Sequence, residues 1–149
     1  MNPVAQSNAG KIALRRHMLK KRAALDAGHR RRASQTIARE VLHRIELHPD
    51  PLRLIVLYVS CGHEVETHEL IAELLRRRFE IALPCVLHNP RRMEMRVIDR
   101  FPEGLVAGDF GILEPQPLLH PRVVEPGEID LLLVPGVAFD RRGHRLGYG

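Results

Sequence analysis

Residues 128–149 read EIDLLLVPGVAFDRRGHRLGYG, and their residue types suit the holding of phosphate. After an apolar run come Pro135-Gly136, the acid Asp140, and Gly143, Gly147 and Gly149 with Arg145 among them. Glycine lets a backbone approach a phosphate closely and turn its N–H groups inward, and arginine adds a planar fork of donors. The segment is not the Walker pattern, which ends in Gly-Lys-Ser/Thr. A glycine-rich hairpin with exposed arginines fits the same residues. Glu64, in Glu64-Val65-Glu66-Thr67, offers strong acceptors to a donor-rich ligand, or else is a helix-start carboxylate ahead of Thr67. Lys11 and Arg15 stand one helical turn apart and either reach for anions or form a solvated helix face. Asp140 reads as a turn residue.

Metal chemistry has little support. Cys61 and Cys85 lack a second pair at regular spacing, and His63, His68 and His88 are the only further candidates near them. Two reduced thiols are the simpler reading.

The elements that must position these residues follow from hydrophobic spacing. Leu14, Met18 and Leu25 predict a helix over 11–27, broken by Gly28. Ile37, Val41 and Ile45 predict a second from about Arg30 to His43, ended by His48-Pro49-Asp50-Pro51. Leu54 to Val59 is a continuous apolar run, as in a strand buried on both faces. Thr67 is placed to cap a helix burying Leu70, Ile71, Leu74 and Leu75, with Arg76, Arg77 and Arg78 complementing its dipole. Further strands are expected at Glu80 to Leu83, ended by Pro84, at Met93 to Ile98, and at Asp130 to Val134. The prolines and glycines between Phe101 and Pro126 predict loop.

This alternation gives an α/β fold, a three-layer α/β/α Rossmann-like sheet, mostly parallel, with N-terminal helices, in a single domain over 1–149. Ligands of such sheets sit at the carboxyl ends of strands. The loop after Val59, with Glu64, and the loop after Val134 both meet that rule.

Composition narrows the function classes. The 149 residues suffice for one core, and 44% hydrophobic with 28% charged side chains describe an ordered globular chain. No apolar run approaches the roughly 20 residues of a membrane span, and the N-terminus lacks the pattern of a secretion signal. A cytoplasmic location is the expectation. The net charge of +5 divides into +9 over residues 1–44 and −4 over the rest. Such an arm suits nucleic acid or a small anionic ligand. No aromatic residue precedes Tyr58, so base-stacking platforms are missing among those cations and the small anion is preferred.

Pro135-Gly136-Val137-Ala138-Phe139-Asp140, Gly143 and Arg145-Leu146-Gly147-Tyr148-Gly149 resemble the C-terminal signature of the 5-formyltetrahydrofolate cyclo-ligase family, also called 5,10-methenyltetrahydrofolate synthetase. Lys11-Ile12-Ala13-Leu14-Arg15 is similar to the family's Lys-x-x-Leu-Arg, and Glu64-Val65-Glu66-Thr67 to its Glu-Val/Ile-x-Thr. Leu83-Pro84, Met93 and Phe110-Gly111-Ile112-Leu113-Glu114-Pro115 agree more weakly. The resemblance spans nearly the whole chain, with its most specific motif at the end.

The resemblance implies closure of 5-formyltetrahydrofolate to 5,10-methenyltetrahydrofolate with ATP and Mg2+, releasing ADP and phosphate. It implies an ATP site of Lys11, Ile12, Ala13, Leu14 and Arg15 with Arg145, Leu146, Gly147, Tyr148 and Gly149. It implies a folate site of Val59 and Glu64, meeting the ATP site at Arg15, Tyr148 and Gly149. The family's metal-binding Asp falls beyond Gly149, so no metal ligand is expected within the chain. The signature's further glycines, tyrosine pair and following helix are not in the sequence, and the resemblance therefore implies impaired turnover. A non-catalytic folate- or protein-binding relative and a basic RNA-associated module are the alternatives. The expected partners are small molecules, with neither membrane nor nucleic acid.

Overall fold

The structure, a computed structural model, describes residues 3–148, with side chains from position 8. The chain forms two compact units, one of residues 1–30 with 135–149 and one of residues 31–134.

Helix α1 spans Pro3–Ala23 and α2 spans Ala27–Glu46. The break between them lies before Gly28, which is inside α2. Its cause is Asp26, whose carboxylate accepts the His29 N–H at 2.8 Å and whose carbonyl accepts that of Arg30 at 3.0 Å. An acid that caps a helix start fixes the boundary more firmly than a glycine one residue into the first turn. Of the stripe expected on α1, Met18 alone is half-buried, Leu14 is exposed, and Leu25 falls beyond the end of the helix and is exposed too.

The larger unit is built on a four-stranded sheet. Its members are β1 (Leu54–Val56), β2 (Glu80–His88), β3 (Arg91–Ile98) and, after two short strands described below, β6 (Leu131–Leu132). Their order is β3-β2-β1-β6, with β1 parallel to both β2 and β6, and β2 antiparallel to β3. The sheet is thus mixed and mostly parallel, in an α/β fold.

β1 is buried throughout, as its apolar run predicts. Ile55, with Leu57, Ile81, Leu83 and Ile98, packs against α3 (His68–Arg76) and the inner residues Ala38, Val41, Leu42 and Ile45 of α2. Leu54, Val56 and Ala82 look the other way and are covered by Val124 and Ile129. Ile55, Ile71, Leu74 and Ile81 are fully enclosed, each stabilising the fold by about 1.5–3 kcal/mol relative to exposure.

Pro84 does not end its strand. β2 continues to His88, with Pro84 opposite Met95. The parity of the strand explains it. The Ala82 carbonyl faces β1, where it accepts the Leu57 N–H, and the Val86 N–H faces the same side, where it meets the Glu114 carboxylate at 2.8 Å. Pro84 shares that side, so the N–H it lacks is not one the β2–β3 ladder uses.

The segment read as loop contains a small sheet, in which β4 (Leu105–Ala107) pairs antiparallel with β5 (Leu113–Pro115). In the smaller unit a two-residue hairpin pair follows, β7 (Ala138–Phe139) with β8 (Arg145–Leu146). Strands of two or three residues fall below the length at which alternation can be read.

Candidate functional site

In the smaller unit, the glycine-rich segment is a hairpin organised by Asp140. Its carboxylate accepts the N–H groups of Arg142 and His144 at 2.8 and 2.9 Å and lies 2.8 Å from His144 Nδ1. The imidazole first, and then the backbone donors, hold the carboxyl below its usual range. Asp140 therefore acts as the turn residue its position suggests. Gly143 takes φ +84°, a conformation that favours glycine. Gly136 lies under the Phe139 ring and Arg145, where a Cβ would fall 2.5 Å from the ring.

Lys11, Arg15 and Arg22 lie on one face of α1, spaced by four and seven residues. Arg15 Nε donates to the Gly147 carbonyl at 2.7 Å. Arg22 donates to the Gly136 carbonyl at 3.3 Å and to the Tyr148 hydroxyl at 2.6 Å, with its guanidinium 5.5 Å from the centre of the Tyr148 ring. The Arg22 Nε is enclosed with no hydrogen-bond partner among the described residues. These contacts bring the Lys11–Arg15 turn and the Gly147-Tyr148 segment together.

The other expected residues of this group differ in role. Ile12 and Leu14 are exposed, Ala13 lies between them, and Lys11 is solvated. Arg145 turns back on its own hairpin, donating to the Pro135 carbonyl at 2.9 Å, while Leu146 accepts the Val137 N–H at 2.8 Å. A side chain at Gly147 would meet nothing within 4 Å, so the loop has open space beside it. Gly149 lies outside the described residues.

In the larger unit, Glu64 lines an open pocket of about 620 Å³ with Arg31, Gln35, Cys61, Glu66 and His68. Its Oε2 accepts the Cys61 N–H at 2.9 Å, and its own N–H donates to the Cys61 carbonyl at 3.2 Å. Val59 does not line that pocket. It is 5% exposed and packs into the core with Leu57 and Leu70, immediately before the loop that does. Thr67 stands at the N-cap of α3 but makes no capping hydrogen bond. Its hydroxyl turns instead to the loop containing Glu64, as described below.

Sequence reasoning missed Arg22, Ser34, Ser60 and Thr67 as parts of these arrangements. Arg22 carried a signal, since it continues the Lys11/Arg15 face two turns on. Thr67 carried one as well, in Glu64-Val65-Glu66-Thr67, but was read as a helix cap, while Ser34 and Ser60 carried none, because serine in loops and helices has many local uses. Among the described residues, no group of three or more His, Cys, Asp or Glu side chains is placed to hold a metal ion.

A family model described as the 5-formyltetrahydrofolate cyclo-ligase family matches residues 7–149. A 5-formyltetrahydrofolate cyclo-ligase of Haemophilus influenzae is 34% identical over 137 residues, covering 91% of this chain and 71% of that protein. A mitochondrial 5-formyltetrahydrofolate cyclo-ligase of Arabidopsis thaliana is 36% identical over 105 residues, covering 62% of this chain and 38% of that protein. Among solved structures, 5,10-methenyltetrahydrofolate synthetase of Aquifex aeolicus aligns with a TM-score of 0.75 at 34% identity, over 93% of this chain and 67% of that one. The synthetase of Mycoplasma pneumoniae shares the fold, with a TM-score of 0.67 at 24% identity, over 93% of this chain and 71% of that one.

Proposed function

The chain belongs to the 5-formyltetrahydrofolate cyclo-ligase family, and from that premise we propose that it carries out the ATP-dependent cyclisation of 5-formyltetrahydrofolate to 5,10-methenyltetrahydrofolate, releasing ADP and phosphate. The formyl carbon on N5 is amide-like, and its oxygen is a poor leaving group when N10 attacks. Transfer of the ATP γ-phosphoryl group to that oxygen makes it leave as phosphate. Catalysis of this kind is chiefly positioning and charge stabilisation.

The observation that carries the reading is the Arg15–Gly147 hydrogen bond, which joins two motifs from opposite ends of the chain at one place. In this proposal Lys11 and Arg15 present positive charge to the triphosphate, and residues 145–149 complete the nucleotide site. Arg15 and Tyr148 are assigned to the folate as well as to the nucleotide. Glu64 accepts hydrogen bonds from the folate ring, and Val59 supports the loop that presents it. Mg2+ belongs to the proposal as the ion of the nucleotide. Such an ion keeps several waters and binds substrate phosphates with few protein ligands, and no residue is assigned to it. A cytoplasmic location is part of the same reading, and the two free thiols, Cys61 and Cys85, suit a reducing compartment. No described helix is long and apolar enough to cross a membrane.

The test is the near-ultraviolet absorbance of the methenyl product after mixing the protein with 5-formyltetrahydrofolate, ATP and Mg2+. A rise that requires both substrates is expected. No rise, together with no calorimetric binding of either ligand, would overturn the proposal.

A further inference from the structure

The loop carrying Glu64 is fastened at three points by buried or half-buried hydroxyls. Thr67 Oγ1 donates to the Tyr58 carbonyl at 2.8 Å and accepts the Ser60 N–H at 3.0 Å. Ser60 Oγ returns the contact by accepting the Thr67 N–H at 3.0 Å. From α2, Ser34 Oγ accepts the Glu66 N–H at 3.0 Å. Thr67 is 2% exposed and Ser34 4%. Within this frame the Cys61 N–H donates to one Glu64 carboxylate oxygen at 2.9 Å and favours one orientation of the carboxylate.

Stability of α3 alone does not account for the arrangement. A threonine at an N-cap ordinarily accepts an N–H of the first helical turn. Thr67 makes no such bond, and its hydroxyl crosses the base of the loop instead. The reciprocal Ser60–Thr67 pair closes residues 60–67 into a ring that holds its shape before any ligand arrives. Preorganisation of this kind increases affinity by lowering the ordering cost of binding.

We propose that Thr67, Ser60 and Ser34 are positioning residues for Glu64, holding its carboxylate in the geometry that receives the folate ring. This rests on the folate reading of Glu64 given above. The three hydroxyls act through Glu64 and touch no substrate atom.

Calorimetric dissociation constants for 5-formyltetrahydrofolate and for ATP test this, with melting temperatures recorded for every variant. Thr67→Val keeps the shape and loses the hydroxyl, Thr67→Ser keeps the hydroxyl, and Ser60→Ala loses only the acceptor for the Thr67 N–H. Ser60→Ala is the milder change and retains the buried Thr67 bonds if Thr67→Val unfolds. Thr67→Val is expected to weaken folate binding about tenfold or more and Ser60→Ala by about threefold. ATP binding stays unchanged, and Thr67→Ser recovers most of the folate affinity. In a Glu64→Gln background the same changes add nothing further, because the residue they position has lost its charge. Folate affinity unchanged in both Thr67→Val and Ser60→Ala would overturn the proposal, as would losses that simply add to that of Glu64→Gln. A wild-type protein that binds no folate at all refutes the parent reading itself, and the unsubstituted control separates that failure from the others.

Discussion

Arg15 Nε meets the carbonyl oxygen of Gly147 at 2.7 Å across 132 residues of chain. A guanidinium reaching a backbone carbonyl through Nε holds the loop and leaves its two terminal nitrogens for other acceptors. Arg15→Ala is therefore expected to weaken ATP binding by about tenfold or more. Arg15→Lys keeps the charge but not the fork, and should fall between the two. Titration calorimetry with ATP measures both.

The Asp130 carboxylate ties the starts of β1 and β6 together by accepting the N–H groups of Leu54 and Arg53, each at 2.8 Å. Those two bonds, Leu54 foremost, lower its pKa. A carboxyl with a lowered folded-state pKa contributes stability that is present above its unfolded pKa of about 3.9 and is lost as pH falls through the folded value. The stability advantage of the native protein over Asp130→Asn should accordingly be constant from neutral pH down to about pH 5 and shrink below about pH 4. Urea denaturation of the pair across that range provides the measurement.

The two thiols should separate cleanly. Cys61 is exposed and Cys85 buried, with burial and the neighbouring Glu114 pushing the Cys85 thiol up. A thiol-reactive probe is expected to label one cysteine per chain in the native state and two after denaturation. Since Cys61 borders the pocket of Glu64, saturating 5-formyltetrahydrofolate should slow the native reaction.

Much of the fold was written in residue types. The buried strand β1, the apolar face of α3 and the parallel sheet follow from runs and spacings that only burial explains. What escaped was decided by individual hydrogen bonds rather than by residue type. Asp26 moved a helix boundary away from Gly28 through a hydrogen bond, and Pro84 was tolerated because of which way its neighbours' N–H groups point. The candidate site divides in the same manner. Lys11, Arg15 and Gly147 could be chosen by type and motif, while Arg22 and the Ser60–Thr67 pair acquire meaning only once their partners are in place. The resemblance assigned Val59 to the folate site, and its side chain lies in the core immediately before the loop of Glu64.

Arg78 ends α3 in the left-handed region, at φ +67°, where its N–H meets the Leu75 carbonyl and that of Phe79 meets Leu74. Glycine suits this position, since it has no Cβ to crowd the turn. Arg78→Gly is expected to raise stability by up to about 1 kcal/mol. The ion pairs of Glu73 with Arg76 and Arg77, which hold the Glu73 pKa at about 2, do not involve Arg78 and should persist. Thermal and urea denaturation test the gain.

Pro84 has a consequence for the company this chain keeps. Past Ala82, no described strand is hydrogen-bonded to β2 on its β1 side, and an unpaired strand edge is a template on which a second molecule can add itself. Here the edge offers no hydrogen-bond donor at two successive outward positions, because proline has no N–H and the Glu114 carboxylate already accepts the Val86 N–H. A strand of another molecule laid along Leu83-Pro84-Cys85-Val86 would therefore form fewer ladder hydrogen bonds than along an edge with free donors.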